Sequence, residues 1–189
     1  MNVQGILPFA RTLLENTLEK GDIAIDCTVG NGHDTVFLAQ LVEASGHVYG
    51  FDIQEEAINK TKQRLRKEQL HQVTLFQCGH EQFATKLPAD HLSKVKAAIF
   101  NLGYLPGGDK SIVTQGTTTI KAIQQLLQNM PQGGTIVLVI YHGHQEGKKE
   151  KETIESYVTQ INQKTAHVLK YQFLNQVNNP PYVIGIEKR

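Results

Sequence analysis

Cysteine is scarce in this sequence, whose 189 residues include only Cys27 and Cys78. The pair lacks the spacing of metal ligands, and two cysteines do not make the disulfide framework of a small secreted domain. Each ends an apolar run, so we expect both to be small core residues. The sequence therefore predicts neither a metal site nor a disulfide-based fold.

Long hydrophobic runs are also absent. No window approaches the roughly 18 apolar residues that a membrane span requires. Residues 1–10 lack the basic-then-apolar order of a signal peptide. These absences predict a cytoplasmic protein without membrane contacts.

Neither sign of charge dominates, because the formal net charge is +1. A nucleic-acid partner would therefore bind a local basic patch rather than respond to a global field. The candidate patches are two basic runs: Lys60, Lys62, Arg64, Arg66 and Lys67, then Lys148, Lys149 and Lys151. Each run can equally be a solvated helix face. The near-neutral charge leads us to expect either a homodimer or a small footprint on such a partner.

What the sequence does contain is a regular alternation of short apolar runs and amphipathic stretches. With no repeat, low-complexity tract or long linker, residues 1–189 are expected to form one domain. The predicted strands are Ile23–Cys27, His47–Asp52, Val73–Cys78, Val95–Asn101, Thr135–Tyr141, His167–Asn175 and Tyr182–Glu187. The predicted helices are Phe9–Glu19, Asp34–Leu41, Glu55–Lys67, Glu81–Leu87, Thr118–Asn129 and Lys148–Ile161.

This alternation indicates an α/β fold with a parallel sheet and right-handed crossovers. The last two predicted strands are joined only by residues 176–181, QVNNPP, which is too short for a parallel crossover. These two strands must therefore pair antiparallel. Ligands of open α/β sheets bind beyond the carboxyl ends of the strands, and unusual polar residues cluster there in this sequence.

The first predicted strand leads into a glycine-containing loop within residues 24–35, AIDCTVGNGHDT. Gly30 and Gly32 allow a tight turn and close approach to a ligand, and Asp34 and Thr35 open the next helix. Such a loop can also be a plain strand-to-helix turn. Asp52, 20 positions after Gly32 at the end of the next strand, favours a ligand site because an acid there accepts hydrogen bonds from ribose. Its alternative role is to cap the following helix.

The charges around this loop favour one cofactor over another. Asp26 precedes the loop and Asp34 follows it, and two carboxylates repel a pyrophosphate. Thr35 also stands where a dinucleotide motif prefers glycine. S-adenosylmethionine (SAM), with its sulfonium and ammonium groups, is therefore favoured over NAD.

The strand pattern, together with DCTVGNGHDT, FDIQ and NLGYLPGGD, resembles the class I SAM-dependent methyltransferases over the whole chain. That resemblance implies a Rossmann-like, seven-stranded, mostly parallel sheet with an antiparallel last strand and helices on both faces. GNGHDT, FNLGYLPGGDK and YHGHQEG are more narrowly similar to a small bacterial group long labelled rRNA methylases. Members of that group are understood to convert 5-aminomethyl-2-thiouridine at the tRNA wobble position to its methylaminomethyl form.

The resemblance implies a set of SAM contacts. Asn31 and Asp34 would contact the methionine end of SAM. Asp52 and Gln54 would flank the ribose and adenine, and Gly79 and His80 would border the adenine. The full predicted set is Asp26, Gly30, Asn31, Gly32, Asp34, Thr35, Asp52, Gln54, Gly79 and His80. His80 has an alternative role at the start of a helix, with its ring partly exposed. Thr28 replaces the first glycine of the common loop, so the backbone should approach the methionine less closely there.

The end of the fourth strand faces the transferable methyl group in this class, and many members that methylate amino groups carry Asp or Asn followed by Pro-Pro-Tyr there. This chain instead has Asn101 followed by LGYLP. We predict that the Asn101 amide oxygen or nearby backbone carbonyls orient an acceptor amine, and that Tyr104 stacks on a base or lines the pocket. His142 or His144 could take the amine proton, contact phosphate or fill a polar rim. The predicted catalytic set is Asn101, Tyr104 and His142. The alternative is an Asn-Gly turn with a core-packed tyrosine.

A literal Asn-Pro-Pro-Tyr motif does occur, within NNPPY at Asn178–Tyr182. It lies between the last two strands rather than after the fourth, so we predict a hairpin loop rather than a catalytic motif. The loop should lie on the same rim as the active site, where contact with the substrate is possible.

Together these patterns predict a SAM-dependent N-methyltransferase acting on the anticodon region of tRNA, with the tRNA substrate implied by the resemblance alone. Three alternatives stay open: a methyltransferase for another RNA base, such as one in rRNA, or for a small amine; a SAM-binding partner subunit without activity; and an NAD-dependent oxidoreductase. The Asn101–Pro106 loop argues against the inactive subunit, because a pure binding module has no use for it.

Overall fold

The structure is a computed structural model that describes residues 2–103, 114–141 and 145–189. Its strands are β1 (Ile23–Asp26), β2 (His47–Asp52), β3 (Val73–Gln77), β4 (Val95–Leu102), β5 (Thr135–Ile140), β6 (Ala166–Tyr171) and β7 (Tyr182–Lys188). Its α-helices are α1 (Ile6–Glu15), α2 (His33–Val42), α3 (Glu55–Lys67), α4 (Phe83–Lys86), α5 (Ala89–Leu92), α6 (Gly116–Asn129) and α7 (Gln145–Val158). A 3-10 helix covers His80–Gln82.

The strands form one sheet in the order β3-β2-β1-β4-β5-β7-β6. The pairings among β1 to β5 are parallel, whereas β7 is antiparallel to both of its neighbours, β5 and β6. The predicted seven-stranded sheet and the antiparallel pairing of the last two strands are therefore confirmed. The parallel strands all deliver their carboxyl ends to one edge of the sheet, where the site is expected.

Helices cover both faces of the sheet, which explains why its central strands are apolar runs without polar alternation. Within β1, Ala24 packs in the cluster with α1 and α2, whereas Ile25 packs in the cluster with α6 and α7. All six residues of β5 are buried. Burial on both faces fixes the sheet as a rigid support for the loops at its carboxyl edge.

Some boundaries differ from those predicted. Helix α1 begins at Ile6 rather than Phe9, since Gly5 is its N-cap and Pro8 falls in the first turn, where no intrahelical N–H is needed. Strand β6 ends at Tyr171 rather than Asn175, and α5, which follows Pro88, was not predicted. Cys27 lies in the core as predicted, whereas Cys78 is only partly buried.

Within the described ranges, none of the helices combines the length and apolar character that crossing a bilayer demands.

Candidate active site

Two adjoining cavities open at the carboxyl edge of the sheet. The smaller, about 370 Å³, lies between the ends of β2 and β3 and the start of α6. The larger, about 900 Å³, lies between α1 and the ends of β4 and β5. Both are lined by Thr28, Gly30, Asn101 and Gly103, so these residues form their common wall. This arrangement offers space for two ligand groups side by side.

The loop between β1 and α2 is held from β2 and α3. The backbone N–H of Gly30 donates to Asp52 Oδ2 at 2.8 Å, and the Thr61 hydroxyl donates to the Gly30 carbonyl at 3.3 Å. Gly32 adopts φ +78°, and a Cβ there would lie 2.5 Å from Thr61 Oγ1. Position 32 therefore requires glycine for its backbone angle and for the close approach of α3.

Helix α3 contributes one contact that the sequence reasoning missed. Arg64, which the charge pattern assigned to a candidate RNA patch or a solvated face, donates from Nε to the Asn31 carbonyl at 3.1 Å. Thr61 and Arg64 are three residues apart on the same helix face, so both reach the loop. The helical spacing was visible in the sequence, but the loop it faces was not.

Asp26, predicted as a cofactor contact, is fully buried beneath the loop and lines neither cavity. It accepts the Thr35 hydroxyl at 2.6 Å and the Thr28 backbone N–H at 3.1 Å. Burial, reinforced by the nearby charge of Asp34, raises the pKa of Asp26 to about 7. Asp26 and the equally buried Thr35 therefore hold the loop in shape instead of offering atoms to a ligand in a cavity, which corrects the prediction of direct contact.

The smaller cavity contains most of the other predicted cofactor residues. Asp52 accepts backbone N–H groups on both oxygens, from Gly30 and from Gln54 at 2.9 Å. A carboxylate has further lone pairs, so Asp52 can still accept hydrogen bonds from a ligand. Gln54, Gly79 and His80 line the same cavity. Asn31 and Asp34, in contrast, line the larger one.

His80 is buried in the wall of the smaller cavity, so the alternative of a partly exposed ring is wrong. Its Nδ1 lies 2.9 Å from the Cys27 carbonyl, which only accepts, so Nδ1 carries the proton and Nε2 accepts, with the Thr119 hydroxyl at 3.5 Å. Burial lowers the pKa of His80, and the ring is therefore neutral at physiological pH.

Asn101 lies near the end of β4 and in the wall between the cavities. The alternative of an Asn-Gly turn with a core-packed tyrosine stays open, because Tyr104 lies outside the described residues. Its backbone N–H donates to Thr28 Oγ1 at 2.6 Å, and its Nδ2 donates to Asp34 Oδ2 at 2.8 Å. Thr28, the departure from the common glycine, thus joins the loop after β1 to β4. The other predicted catalytic residues, Tyr104 and His142, lie outside the described residues, as does His144.

The described residues on either side of residues 104–113 are joined by hydrogen bonds. The Gly103 N–H donates to Thr114 Oγ1 at 3.1 Å, and the Thr114 hydroxyl donates to Glu150 Oε2 at 2.7 Å. Burial raises the pKa of Glu150. These contacts hold Gly103 in the wall that the two cavities share.

Arg11 of α1 lines the larger cavity and was not predicted as a site residue. Its Nη2 lies 3.5 Å from Asp34 Oδ1, and its guanidinium lies 4.8 Å from the centre of the Phe37 ring. The sequence offered no signal for this residue beyond its place on a helix whose apolar face was recognised.

The NNPPY segment lies in the turn between β6 and β7, as predicted. Tyr182 is buried at the start of β7 and pairs with Ile140. The loop does not contribute to the described linings of the two cavities. The preceding Tyr171 nevertheless donates its hydroxyl to the carbonyl of Gln4, a residue lining the larger cavity. The end of β6 therefore lies beside that cavity.

The sheet order, the acid at the end of β2, the glycine loop and the paired cavities define the class: this is a class I SAM-dependent methyltransferase. Residues 48–187 match the family described as "Putative rRNA methylase". The chain belongs to that family.

The relatives are similar over nearly the whole chain. An Arabidopsis thaliana protein named "tRNA (mnm(5)s(2)U34)-methyltransferase, chloroplastic" is 35% identical over 188 residues, which are 95% of this chain and 68% of that protein. The crystal structure of a "putative rRNA-methylase" from Clostridium thermocellum has a TM-score of 0.95 at 39% identity, with all of both chains covered. A "putative methyltransferase" from Streptococcus mutans in complex with SAH has a TM-score of 0.90 at 38% identity, with 99% of each chain covered.

Proposed function

We propose that this chain, acting as one domain of residues 1–189, methylates the aminomethyl group of 5-aminomethyl-2-thiouridine at the wobble position of tRNA, with SAM as the methyl donor. The methylated product is 5-methylaminomethyl-2-thiouridine. The substrate assignment is supported by the Arabidopsis relative, whose similarity extends over 95% of this chain. The observation that carries the chemistry is the position of Asn101 between two cavities.

The residues of the smaller cavity fit an adenosine moiety. Asp52 has lone pairs left for ribose hydroxyls, while Gln54, Gly79 and the neutral His80 border the space for the base. Asn31 in the larger cavity is suited to the methionine end. When bound, SAM supplies an electrophilic methyl group on a sulfonium.

The larger cavity fits the acceptor. A neutral primary amine there forms its nitrogen–carbon bond as the carbon–sulfur bond breaks, with the electron pair remaining on sulfur and one amine proton passing to a base or water. Asn101 contributes by accepting an amine N–H on its amide oxygen, which aims the nitrogen lone pair. Positioning of this kind supplies much of the acceleration in a displacement at carbon. Tyr104 and His142 remain predictions for stacking and proton removal.

The RNA substrate is the anticodon region of a tRNA in this proposal. Arg11 at the larger cavity provides a cation for a backbone phosphate next to the target nucleotide. A flipped base needs only a pocket and modest backbone contacts, which agrees with a net charge of +1. A tRNA substrate also implies a compartment that contains tRNA, and we propose the cytoplasm.

We also propose a homodimer. Apolar side chains are exposed along the edge strand β6 and the loop that follows it: Val168, Leu169, Leu174 and Val177. An exposed apolar patch on a sheet edge is typical of a protein interface. Sedimentation of the wild type and a Leu174→Ser variant tests this, since a monomeric wild type would contradict it.

Nucleoside mass spectrometry of tRNA tests the function most directly. A strain lacking the gene should accumulate 5-aminomethyl-2-thiouridine, and the wild-type gene should restore the methylated form whereas an Asn101→Ala gene should not. An unaltered tRNA profile with a lost methyl group in rRNA would overturn the substrate in favour of the rRNA alternative. Calorimetry with SAM and with NAD tests the cofactor, and binding of NAD alone would overturn it.

A further inference from the structure

We propose that Asp34 is a positioning residue, which fixes the side-chain amide of Asn101 so that the amide oxygen, and not the amide nitrogen, meets the acceptor amine. This inference rests on the proposed function. It reassigns Asp34 from the cofactor set of the sequence prediction to the acceptor side of the site.

The described contacts of Asn101 leave its amide oxygen without a donor and use one of the two N–H groups of its amide nitrogen. Its backbone N–H is bonded to Thr28 Oγ1 at 2.6 Å and its Nδ2 to Asp34 Oδ2 at 2.8 Å. Among the residues that the structure describes, none donates a hydrogen bond to Asn101 Oδ1. Because Asn101 lines both cavities, this oxygen is the amide acceptor left for a ligand between them.

The chemistry of a carboxylate decides which way the amide turns. An ionised carboxylate only accepts hydrogen bonds, so the flipped amide would bring two oxygens together and lose its donor. A hydrogen bond to a charged group favours the observed orientation by roughly ten- to a hundredfold. Asp34 is in turn held from its other side, where Arg11 lies 3.5 Å from Oδ1.

The orientation matters because the two ends of an amide act oppositely on an amine. The oxygen accepts an amine N–H and leaves the nitrogen lone pair free to attack the methyl carbon. The NH₂ group would instead donate to that lone pair and block it. An amide free to rotate would therefore spend part of its time inhibiting the reaction that it should assist.

Cofactor binding is the competing role for Asp34, because the larger cavity that it lines also contains Asn31, the residue assigned to the methionine end. Asp34 lines the larger cavity and is absent from the described lining of the smaller one. A carboxylate that bound the ammonium of SAM would instead act on cofactor affinity. The two roles predict different effects on SAM affinity and on turnover.

The first test is a double-mutant cycle on methyl transfer to tRNA carrying 5-aminomethyl-2-thiouridine. Asp34→Asn keeps the shape but pairs with either orientation of Asn101. We expect it to lower kcat about tenfold with SAM affinity changed less than threefold. In an Asn101→Ala background the same substitution should cost less than twofold. Loss of SAM affinity with kcat intact, or equal losses in both backgrounds, would overturn the proposal.

A reciprocal exchange of the side chains at positions 34 and 101 provides a second test. Asn101→Asp alone sets two carboxylates against each other, whereas Asp34→Asn combined with Asn101→Asp restores a donor at 34 and an acceptor at 101. We expect the double variant to be at least fivefold more active than Asn101→Asp, and no recovery would contradict the proposal. Glu43→Gln is the matched control, because it removes a carboxylate from the exposed pair with Lys20 just beyond the other end of α2.

A spectroscopic measurement separates this proposal from the proposed function. In the ¹H–¹⁵N spectrum, the Asp34→Asn substitution should move the side-chain amide resonances of Asn101. The Glu43→Gln substitution should leave those resonances in place. Unmoved resonances would overturn the proposal. A wild-type protein inactive on the thiouridine tRNA would refute only the proposed function, since the amide spectrum needs no substrate.

Discussion

The carboxylate of Asp52 accepts the backbone N–H of Gly30 at 2.8 Å, which ties the end of β2 to the loop that follows β1. The same side chain accepts the N–H of Gln54 at 2.9 Å. One residue therefore shapes both the loop and the floor of the smaller cavity.

Replacement of Asp52 should weaken the cofactor site more than the fold. Asp52→Ala removes both backbone contacts and the expected ribose acceptor, and we expect SAM affinity to fall about 10- to 100-fold, since hydrogen bonds to charged groups contribute about 1.5–3 kcal/mol. Asp52→Asn keeps one acceptor oxygen, so its SAM affinity should lie between that of the alanine variant and that of the wild type. Isothermal titration calorimetry measures both, and unchanged affinity in Asp52→Ala would remove this residue from the site.

An isosteric replacement of Thr28 tests the hydrogen bond that joins the loop after β1 to strand β4. Thr28→Val keeps the volume but leaves the Asn101 backbone N–H without its acceptor, which is now at 2.6 Å. We expect a loss of about 0.5–1.5 kcal/mol in the free energy of unfolding, the net contribution of a typical hydrogen bond, because this bond is only partly buried. Thr28→Ser keeps the hydroxyl and should retain most of that stability in urea denaturation. Equal stability of the two variants would show that the bond contributes nothing.

Gly32 and Gly133 form a matched pair that separates the cost of backbone strain from the cost of a steric contact. Both adopt left-handed angles, φ +78° and +76°, but a Cβ at 32 would lie 2.5 Å from Thr61 Oγ1 whereas one at 133 has only Lys96 Nζ, at 3.8 Å. Each alanine variant should lose about 1–2 kcal/mol of stability from the backbone angle. Gly32→Ala should lose more, and it alone should lose SAM affinity.

Thr61→Ala in the Gly32→Ala background should recover the part of the loss that comes from the contact. Thermal unfolding of the wild type, the two glycine variants and the double variant measures this difference in stability. A Gly32→Ala variant no less stable than Gly133→Ala would contradict the close approach of α3.

Asp26 should make stability depend on pH. Its pKa is raised to about 7 in the folded protein from a reference value of 3.8, so between these values the folded protein holds a proton that the unfolded chain has lost. Stability from this group is complete below pH 3.8 and falls as the pH rises towards 7. Asp26→Asn keeps an acceptor for Thr28 and adds a donor for Thr35.

We therefore expect the stability of Asp26→Asn, relative to wild type, to increase from pH 5 to pH 8 in chemical denaturation. Glu56→Gln, an exposed carboxylate paired with Lys60, should show no such trend. Parallel curves for wild type and Asp26→Asn would show that Asp26 ionises at its ordinary pKa.

The central strands could be predicted because their physical cause is local. A strand covered by helices on both faces must be apolar throughout, and the run in β5 meets that condition at every residue. The polar residues at strand ends, Asp52 and Asn101, were found for the same reason. Their place at the carboxyl edge follows from the strand alone.

The residues whose roles were predicted wrongly or not at all depend on contacts between distant parts of the chain. The sequence shows that Asp26 ends a strand, but not that its carboxylate turns under the loop towards Thr35. Arg11 reaches Asp34 from a helix 23 residues away, and Arg64 reaches Asn31 across 33 residues. No local pattern records which loop a helix will cover once the sheet has formed.

Because four residues form a wall shared by the two cavities, we expect binding in one cavity to depend on binding in the other. Thr28 and Asn101 share a hydrogen bond and each lines both cavities, so a ligand in either cavity contacts residues that also face the other. Linkage is reciprocal, and whatever factor SAH imposes on tRNA affinity, tRNA must impose on SAH affinity. Product inhibition by SAH should accordingly vary with tRNA concentration.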